Sequence, residues 1–412
     1  MSRYRAYPEY KDSGVEWLGE VPSYWEIKKL KYICKVKTGD KDTVDAVDDG
    51  IYPFFVRSQT VERINSIGAD CEAVLTAGDG VGVGKVFHYF HGKFDYHQRV
   101  YMLNSFSKVF GRFVFYYLSN NFYKVALEGN AKSTVDSLRL PQFLNFEFSL
   151  PEIDVQRRIV QFLNHETAKI DTLIEKQKQL IKLLKEKRQA VISSAVTRGI
   201  NSSVLIVDSG IEKIGFIPEH WEIVMLGKKI QLQRGVDITK DEQIEGDIPV
   251  VSSGGIQSFH NQFTTKGPGV VVGRKGTAGK LHYIDTNFWA HDTTLYVKEF
   301  RGNEVRYVYY KLLSMNLEDY DTGSANPTLN RNLVHPEIVS WAPIEEQKEI
   351  VGYLDRFCSL ADKTTVKIND AILLLKERRT ALISAAVTGK IDVRNWQEPS
   401  QNQKETNKEE VV

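Results

Sequence analysis

An internal repeat constrains this chain more than any other feature of its sequence. Residues 12–30 share an Asp-Ser-Gly start, a proline and a Trp-Glu-Ile triplet with residues 208–226, at a constant offset of 196 positions. Residues 184–197 and 375–388 also match closely, at an offset of 191 positions. Nearly equal offsets at both ends indicate a tandem duplication of one unit of about 190 residues.

Each repeat has two parts with different periodicity. The first parts, about residues 12–150 and 208–342, contain short Val-rich and aromatic runs punctuated by glycine, a pattern typical of strands. Helical patterns near 110–119 and 305–314 favour a mixed α/β domain over a pure barrel. We therefore expect an α+β protein whose predicted parts are a first globular domain at 1–151, a helix at 152–200, a second globular domain at 201–343, a helix at 344–390 and a disordered polar tail at 391–412.

The second part of each repeat predicts a long helix. Pro151 and Pro343 precede acidic first turns, and Gly199 and Gly389 stand where a left-handed helix stop is expected. Apolar residues recur every seven positions, which favours an antiparallel coiled coil between the helices, although each helix could instead pack on its own domain. The predicted pairing positions are Ile170, Gln177, Leu184, Val191, Ala361, Ile368, Leu375 and Leu382. The regular span of residues 170–195 is about 39 Å long, close to one turn of B-DNA at about 34–36 Å.

Composition excludes several classes of protein. The chain has 412 residues, 42% hydrophobic and 26% charged, with a formal net charge of +1, so no global field indicates a nucleic-acid partner. Three widely separated cysteines, Cys34, Cys71 and Cys358, fit neither a disulfide framework nor a Cys-rich zinc site. With no secretory leader or membrane span in the pattern, we expect a cytoplasmic protein.

Short segments of the chain resemble one protein family in order and in duplicate. The resemblance is to DNA-specificity subunits of type I restriction–modification systems, and it covers residues 4 to about 391. It is carried by the opening at 7–25, its second copy at 217–222, the loop at 323–330, the helix start at 343–350 and the two shared helices at 183–197 and 374–388.

This resemblance implies a division of labour. Each globular domain is expected to recognise one half of a split sequence in double-stranded DNA, while the helices set the spacer and dock two methylation subunits. Restriction–translocation subunits are expected to join outside them. No cofactor is expected in this chain, because S-adenosylmethionine, ATP and Mg²⁺ would be bound by the partner subunits. The methylated adenine would be extruded from the duplex by the partner.

Motifs for catalysis within the chain are weak. No Pro-Pro dipeptide is present, whereas amino-methyltransferases of this class need an Asn/Asp-Pro-Pro-aromatic loop. Residues 80–85 and 273–280 end in Gly-Lys but lack the first glycine and the following Ser/Thr of a P-loop. They are interpreted as tight turns, with contact to DNA phosphate left open. His88, His91 and His97 do not predict a metal site, and Glu346-Gln-Lys348 is interpreted as part of a helix start rather than a nuclease motif.

Candidate DNA-binding residues are polar side chains at comparable positions in the two domains. Arginine suits guanine, and Asn or Gln suits adenine, because their donors and acceptors match the base edges in the major groove. The first domain offers Arg57, Ser58, Gln59, Lys85, Gln98, Arg99 and Lys132. The second offers Ser252, Ser253, Arg274, Lys275, Thr277, His291, Asp292 and Asn326. Since these sets differ, we expect two unlike half-sites, separated by about 5–8 base pairs if their centres lie roughly one turn apart.

The sequence also allows two rival interpretations. One is an autonomous DNA endonuclease or methyltransferase, and the other is a helical scaffold that binds only proteins. Turnover by the isolated chain would favour the first rival, and the absence of sequence-specific DNA binding would favour the second.

Overall fold

The computed structural model describes residues 4–126, 137–320 and 328–398. The chain forms two compact units. Unit 1 comprises Met1–Lys176 with Asp370–Val412, and unit 2 comprises Gln177–Asn369. Each unit therefore combines one globular domain with segments of both long helices. Within the described ranges, no helix is long and apolar enough to cross a membrane.

The strands of unit 1 form one large sheet and two small ribbons. Their bounds are β1 Tyr10–Asp12, β2 Glu20–Pro22, β3 Glu26–Lys29, β4 Lys35–Thr38, β5 Tyr52–Phe55, β6 Glu62–Ile64, β7 Ala69–Ala77, β8 Phe87–Tyr96, β9 Val100–Asn104 and β10 Glu147–Leu150. The large sheet has the order β4-β9-β7-β8-β5-β6, in which β5 and β8 are parallel and the other pairs are antiparallel. The ribbons pair β1 with β2 and β3 with β10.

Unit 2 repeats this plan with two smaller sheets. Its strands are β11 Ile206–Asp208, β12 Phe216–Pro218, β13 Glu222–Met225, β14 Gln231–Arg234, β15 Ile248–Ser252, β16 Gly255–His260, β17 Gly269–Gly273, β18 Leu281–Ile284, β19 Trp289–Ala290, β20 Thr294–Glu299 and β21 Ile338–Trp341. The sheets have the orders β14-β20-β17-β18 and β16-β15-β19, with ribbons β11-β12 and β13-β21. The β13-β21 ribbon corresponds to β3-β10 in unit 1.

The helices range from single turns to two long helices of 46 and 44 residues. Their bounds are α1 Gly111–Asn121, α2 Tyr123–Ala126, α3 Leu140–Leu144, α4 Ile153–Arg198, α5 Leu226–Lys229, α6 Val305–Leu313, α7 Arg331–Val334 and α8 Ile344–Val387. Short 3₁₀ helices occupy Leu30–Tyr32, Thr43–Asp45, Gly80–Gly82, Lys240–Glu242 and Leu317–Tyr320. The prediction of two mixed α/β domains and two long helices is confirmed. The units divide within both long helices rather than at their ends.

The core of each unit joins its globular domain to both long helices. In unit 1, Phe113 and Tyr117 of α1 pack in one cluster with Phe162 of α4 and Ile383 of α8. In unit 2, a corresponding cluster joins Tyr307 of α6 to Ile192, Val196, Ile350 and Leu354 of the long helices. Burial of this apolar surface is the main term that holds the helices to the domains.

The two glycines at the helix ends have the predicted left-handed conformation. Gly199 has a φ of 75° and Gly389 a φ of 74°, values that favour glycine because it has no Cβ. A Cβ on Gly389 would lie 2.4 Å from Pro22, whereas one on Gly199 would lie 3.4 Å from Trp221. The helix ends therefore stop against the repeated Pro and Trp positions that mark the start of each domain.

Within each unit, the two long helices run in opposite directions and contact each other. In unit 1, Arg379 donates to both carboxylate oxygens of Asp171, at 2.8 and 3.2 Å. In unit 2, Arg188 donates to Asp362 at 2.6 Å. The offset of 191 relates Arg188 to Arg379 and Asp171 to Asp362, so the same ion pair forms once in each unit.

The predicted pairing stripe is less exposed than its flanks. Ile170, Ala361 and Ile368 are buried, and the other five predicted positions are half-buried. The antiparallel pairing of α4 with α8 is consistent with this heptad pattern.

The start of the expected disordered tail is packed against unit 1. Ile391 and Val393 are buried in its core cluster, and the Trp396 ring lies 5.6 Å from that of Phe162. The backbone N–H of Asp392 donates to the Arg5 carbonyl at 2.7 Å. Residues 391–398 therefore differ from the prediction, and residues 399–412 lie outside the described residues.

Candidate nucleic-acid interface

In unit 1, one aspartate joins two of the predicted DNA-binding arginines. Asp79 accepts a hydrogen bond from Arg57 at 3.0 Å through one oxygen and from Arg99 at 2.8 Å through the other. The side chains of Arg57 and Arg99 are 41% and 58% exposed, so both guanidinium groups remain accessible. We call the loop residues 57–59, 79–85 and 97–99 reading cluster 1.

Sheet topology brings these loops together. Arg57 follows β5, Asp79 follows β7, and Arg99 lies between β8 and β9. Because β5 pairs with the end of β8 and β7 pairs with β9, the loops at these strand ends meet. The backbone N–H of Gly78 donates to the Arg99 carbonyl at 2.8 Å, which fixes two of the loops to each other.

Other predicted residues of unit 1 either bond groups beside the cluster or are exposed. Gln98 donates to Asp42 at 2.6 Å, and the backbone hydrogen bond from Thr43 together with Gln98 and His97 lowers the pKa of Asp42. Ser58 uses its hydroxyl locally, donating to the Thr60 carbonyl at 3.0 Å. The side chains of Gln59 and Lys85 are exposed on their loops, and Lys132 lies outside the described residues.

In unit 2, a second aspartate also lies between two arginines. Asp292 accepts from Arg234 at 2.8 Å, while Arg274 donates to the Asp292 carbonyl at 3.1 Å and places a second nitrogen 3.9 Å from its carboxylate. Burial opposes ionisation of Asp292, but the Arg234 hydrogen bond and the nearby positive charges outweigh it and lower the pKa of this carboxyl. We call residues 234, 252–254, 274–280 and 291–293 reading cluster 2.

The remaining predicted residues of unit 2 stabilise the loops of this cluster. Thr277 donates its hydroxyl to the Ser253 carbonyl at 2.6 Å, and Ser252 donates to the Gly255 carbonyl at 3.2 Å. The Lys275 backbone N–H donates to the Thr293 carbonyl at 3.1 Å and leaves its side chain exposed. Asn326 lies outside the described residues.

The two reading clusters share a backbone frame but not their side chains. His97 and His291 are equivalent, since each ring Nδ1 accepts from the backbone N–H two residues later, at 2.9 Å from Arg99 and 3.3 Å from Thr293. Asp292 therefore occupies the place of Gln98. Each cluster has one carboxylate between two arginines, yet the carboxylates come from different loops.

Sequence reasoning missed four charged residues in or beside these clusters. Asp79 and Asp42 in unit 1, and Arg234 and Asp237 in unit 2, were not among the predicted residues. Asp79 follows a strongly apolar strand end within Gly78-Asp79-Gly80, a signal that marks a turn but does not identify its partners.

The histidines and carboxylates near the clusters are held by protein groups. His88 Nε2 lies 3.0 Å from the Ser58 carbonyl, and burial lowers the pKa of this ring. Asp237, His291 and Asp292 are close enough to hold a cation together. However, Arg234 and Arg274 already supply positive charge to Asp292, so this arrangement is better described as an ion-pair network.

The Glu-x-Lys fragment has structural contacts in unit 2. Glu346 accepts from the Trp221 indole N–H at 3.0 Å and contacts His220, while Lys348 bonds Glu345 at 2.9 Å. These contacts tie the start of α8 to the domain, in agreement with the interpretation as a helix start.

Comparison with protein families identifies the class. The sequence profile of the type I restriction modification DNA specificity domain matches residues 22–183 and again residues 218–374. These two matches cover most of the chain, which therefore belongs to this family.

Curated relatives have the same description. The chain is 31% identical over 178 residues to the specificity subunit of type I restriction enzyme EcoDI from Escherichia coli, covering 43% of this chain and 39% of that protein. It is 25% identical over 229 residues to the MjaVIII specificity subunit from Methanocaldococcus jannaschii, covering 52% and 51%. The matched regions thus span about half or less of these two relatives. A putative specificity subunit from Haemophilus influenzae, S.HindORF215P, is 24% identical over 346 residues, covering 77% and 82%.

Solved structures share the fold. An HsdS subunit from Thermoanaerobacter tengcongensis matches with a TM-score of 0.52 at 14% identity, covering 90% of this chain and 98% of that one. A chain from a structure describing complex assembly and conformational transition of the type I R-M system matches with a TM-score of 0.64 at 13% identity, covering 90% and 99%. At these identities the likeness concerns the fold.

Proposed function

We propose that this protein is the sequence-reading subunit of a type I restriction–modification complex and that each unit reads one half of a bipartite site in double-stranded DNA. The observation that carries this proposal is the pair of reading clusters, built on one repeated frame with different side chains. The paired N–H donors of an arginine match the two acceptors on the major-groove edge of guanine. The aspartate beside each arginine holds its guanidinium in a defined orientation. Two such clusters in one chain suit a split, asymmetric site.

The long helices are the proposed docking surface for two methylation subunits. Leu183 and Leu374 occupy equivalent positions on α4 and α8 and are 59% and 64% exposed. Large apolar side chains exposed at the same place in both repeats suit two copies of one partner. Restriction–translocation subunits would join the complex outside them.

The proposed role is non-catalytic. The chain lacks the Pro-Pro loop of amino-methyltransferases, and the acidic groups of its reading clusters are bound to arginines. In this proposal S-adenosylmethionine, ATP and Mg²⁺ act in the partner subunits, and the complex works in the cytoplasm.

The test is to express the chain with its methylation subunits in a methylation-free host and sequence the modified genome. Adenine methylation at one bipartite motif with unlike halves is expected. A contiguous motif, or no methylation, would refute the proposal. Incubating the purified chain alone with DNA and either Mg²⁺ or S-adenosylmethionine should give no turnover, whereas cleavage or methylation would establish the autonomous enzyme.

A further inference from the structure

Each unit has a cleft between its sheet, its helix α1 or α6, and the paired long helices. Cleft 1, in unit 1, has a volume of about 580 Å³ and cleft 2, in unit 2, about 740 Å³. Equivalent residues line them. An offset of 194, intermediate between those at the two ends of the repeat, relates Tyr89 to Tyr283 and Arg112 to Arg306. The offset of 191 relates the ion pair Asp171–Arg379 to Asp362–Arg188. The cleft is therefore a duplicated feature.

The arginine and tyrosine of the cleft are the same in both repeats, whereas the side chains of the reading clusters differ between the repeats. In cleft 1, the Arg112 guanidinium lies 4.7 Å from the Tyr89 ring centroid and also contacts the rings of Phe115 and Tyr116. In cleft 2, Arg306 lies 4.6 Å from the Tyr283 ring. Cation–π contacts of this kind hold a guanidinium in place without neutralising it. Retention in both repeats suits a ligand that is the same in both halves.

One substitution between the repeats changes the charge of the cleft. In unit 2, Asp355 accepts from Arg306 Nε at 2.8 Å and from the Tyr310 hydroxyl at 2.6 Å. In unit 1 the equivalent residue is Asn164, which accepts from the Tyr116 hydroxyl at 2.8 Å.

Arg112 is consequently left without a counter-ion. Its Nε is buried and has no hydrogen-bond partner, and across the described part of the chain no carboxylate forms an ion pair with it within 4.0 Å. Asp171, which lines the cleft, pairs with Arg379, and Glu72 accepts a hydrogen bond from the Tyr89 hydroxyl at 2.9 Å. Positive charge is thus in excess in cleft 1 and balanced in cleft 2.

Cleft 1 adjoins reading cluster 1. Gln59 of the cluster and His88 line the cleft, and His88 also contacts the Ser58 carbonyl at 3.0 Å. In unit 2, His282 makes the same contact with the Ser253 carbonyl at 3.1 Å. Cleft 1 and reading cluster 1 therefore share Gln59.

We infer that cleft 1 binds a backbone phosphate of the target DNA through Arg112, and that cleft 2, neutralised by Asp355, binds phosphate more weakly. This inference rests on the proposed function. Phosphate contacts fix register and affinity but carry no sequence information, so the same side chains serve two domains that read different sequences. The favoured occupant is DNA rather than a protein carboxylate because Gln59 of reading cluster 1 lines the cleft.

The test exchanges Asn164 and Asp355, the two equivalent residues that differ in charge beside the arginine of each cleft. The complex with its methylation subunits is titrated with a duplex carrying its own methylation motif, at several salt concentrations. Asn164→Asp copies cleft 2 into unit 1, and it should weaken binding several-fold at low salt and lower the salt-dependence slope by about 1. Asp355→Asn should strengthen binding. Asn164→Leu, which removes the hydrogen bond but adds no charge, is the matched control and should keep the wild-type slope.

The outcomes separate this inference from the proposed function. If the wild-type complex does not bind a bipartite site, the proposed function fails and the inference fails with it. If the wild type binds and Asn164→Asp has the same affinity and slope, only the inference is refuted. Loss of the methylation subunits from the Asn164→Asp complex would assign the cleft to a protein partner and would also refute it. The methylated motif should be unchanged in every variant.

Discussion

A buried lysine in unit 2 predicts a pH dependence that unit 1 should lack. Lys311 of α6 is 4% exposed, and its amine donates to the Val196 carbonyl at 2.9 Å and to Ser340 Oγ at 3.2 Å. Burial lowers the pKa of Lys311 from 10.5 to about 7. In unit 1 the equivalent residue is Tyr117, whose pKa burial raises to about 12.

The sign of the effect follows from proton binding. Above pH 7 the folded protein releases the Lys311 proton, while the unfolded chain keeps it up to about pH 10.5. Since the unfolded state binds more protons in this window, the stability of unit 2 rises with pH, by up to about 1.4 kcal/mol per pH unit. Between pH 6.5 and 8.5 the gain from Lys311 should be about 2 kcal/mol.

Hydrogen exchange measures this effect in each unit separately. The opening free energy of amides in α6 should rise by about 2 kcal/mol over that range, whereas amides of α1 serve as the internal control and should stay constant after correction for intrinsic exchange. Lys311→Met should abolish the rise. A rise that persists in Lys311→Met, or an equal rise in α1, would refute the assignment.

Three further predictions concern the site, the helix pair and the helix ends. Arg99→Ala should cost about 1–3 kcal/mol of DNA binding and relax one half of the methylated motif, seen by methylome sequencing, and a motif unchanged in both halves would count against reading cluster 1. Leu184→Glu combined with Leu375→Glu places two charges in the half-buried stripe between the long helices. The double variant should separate the helices and release the methylation subunits, as measured by gel filtration. An intact complex with the same spacer would contradict the helix pairing. Gly389→Ala should lower the thermal stability more than Gly199→Ala. Both alanines are strained at positive φ, but only the Cβ at position 389 would clash with a rigid neighbour, the Pro22 ring. Equal losses of stability would argue against that contact.

The fold was accessible from the sequence because its signals are local or repeated. The heptad spacing of Ile170 and Ile368 predicted the buried stripe, and Gly199 and Gly389 predicted the helix ends. The packing of Ile391 and Val393 was missed because a short stretch without periodicity becomes ordered only through contacts with residues far away in the chain.

The candidate site was accessible only in part. Arg57 and Arg99 were predicted from residue type, but their shared partner Asp79 follows from the register of β7 and β9, which sequence spacing does not reveal. The difference between Asn164 and Asp355 could not be interpreted from the sequence either, because only the structure shows that these residues line the clefts that contain Arg112 and Arg306.

The most direct measurement of the central claim is the methylome of a host that carries this chain with its methylation subunits. If each unit reads one half of the site, adenine methylation should occur at a single split motif with two different halves. A chimera in which the second globular domain is replaced should then change one half alone. Methylation at an unbroken motif, or a chimera that alters both halves together, would contradict it.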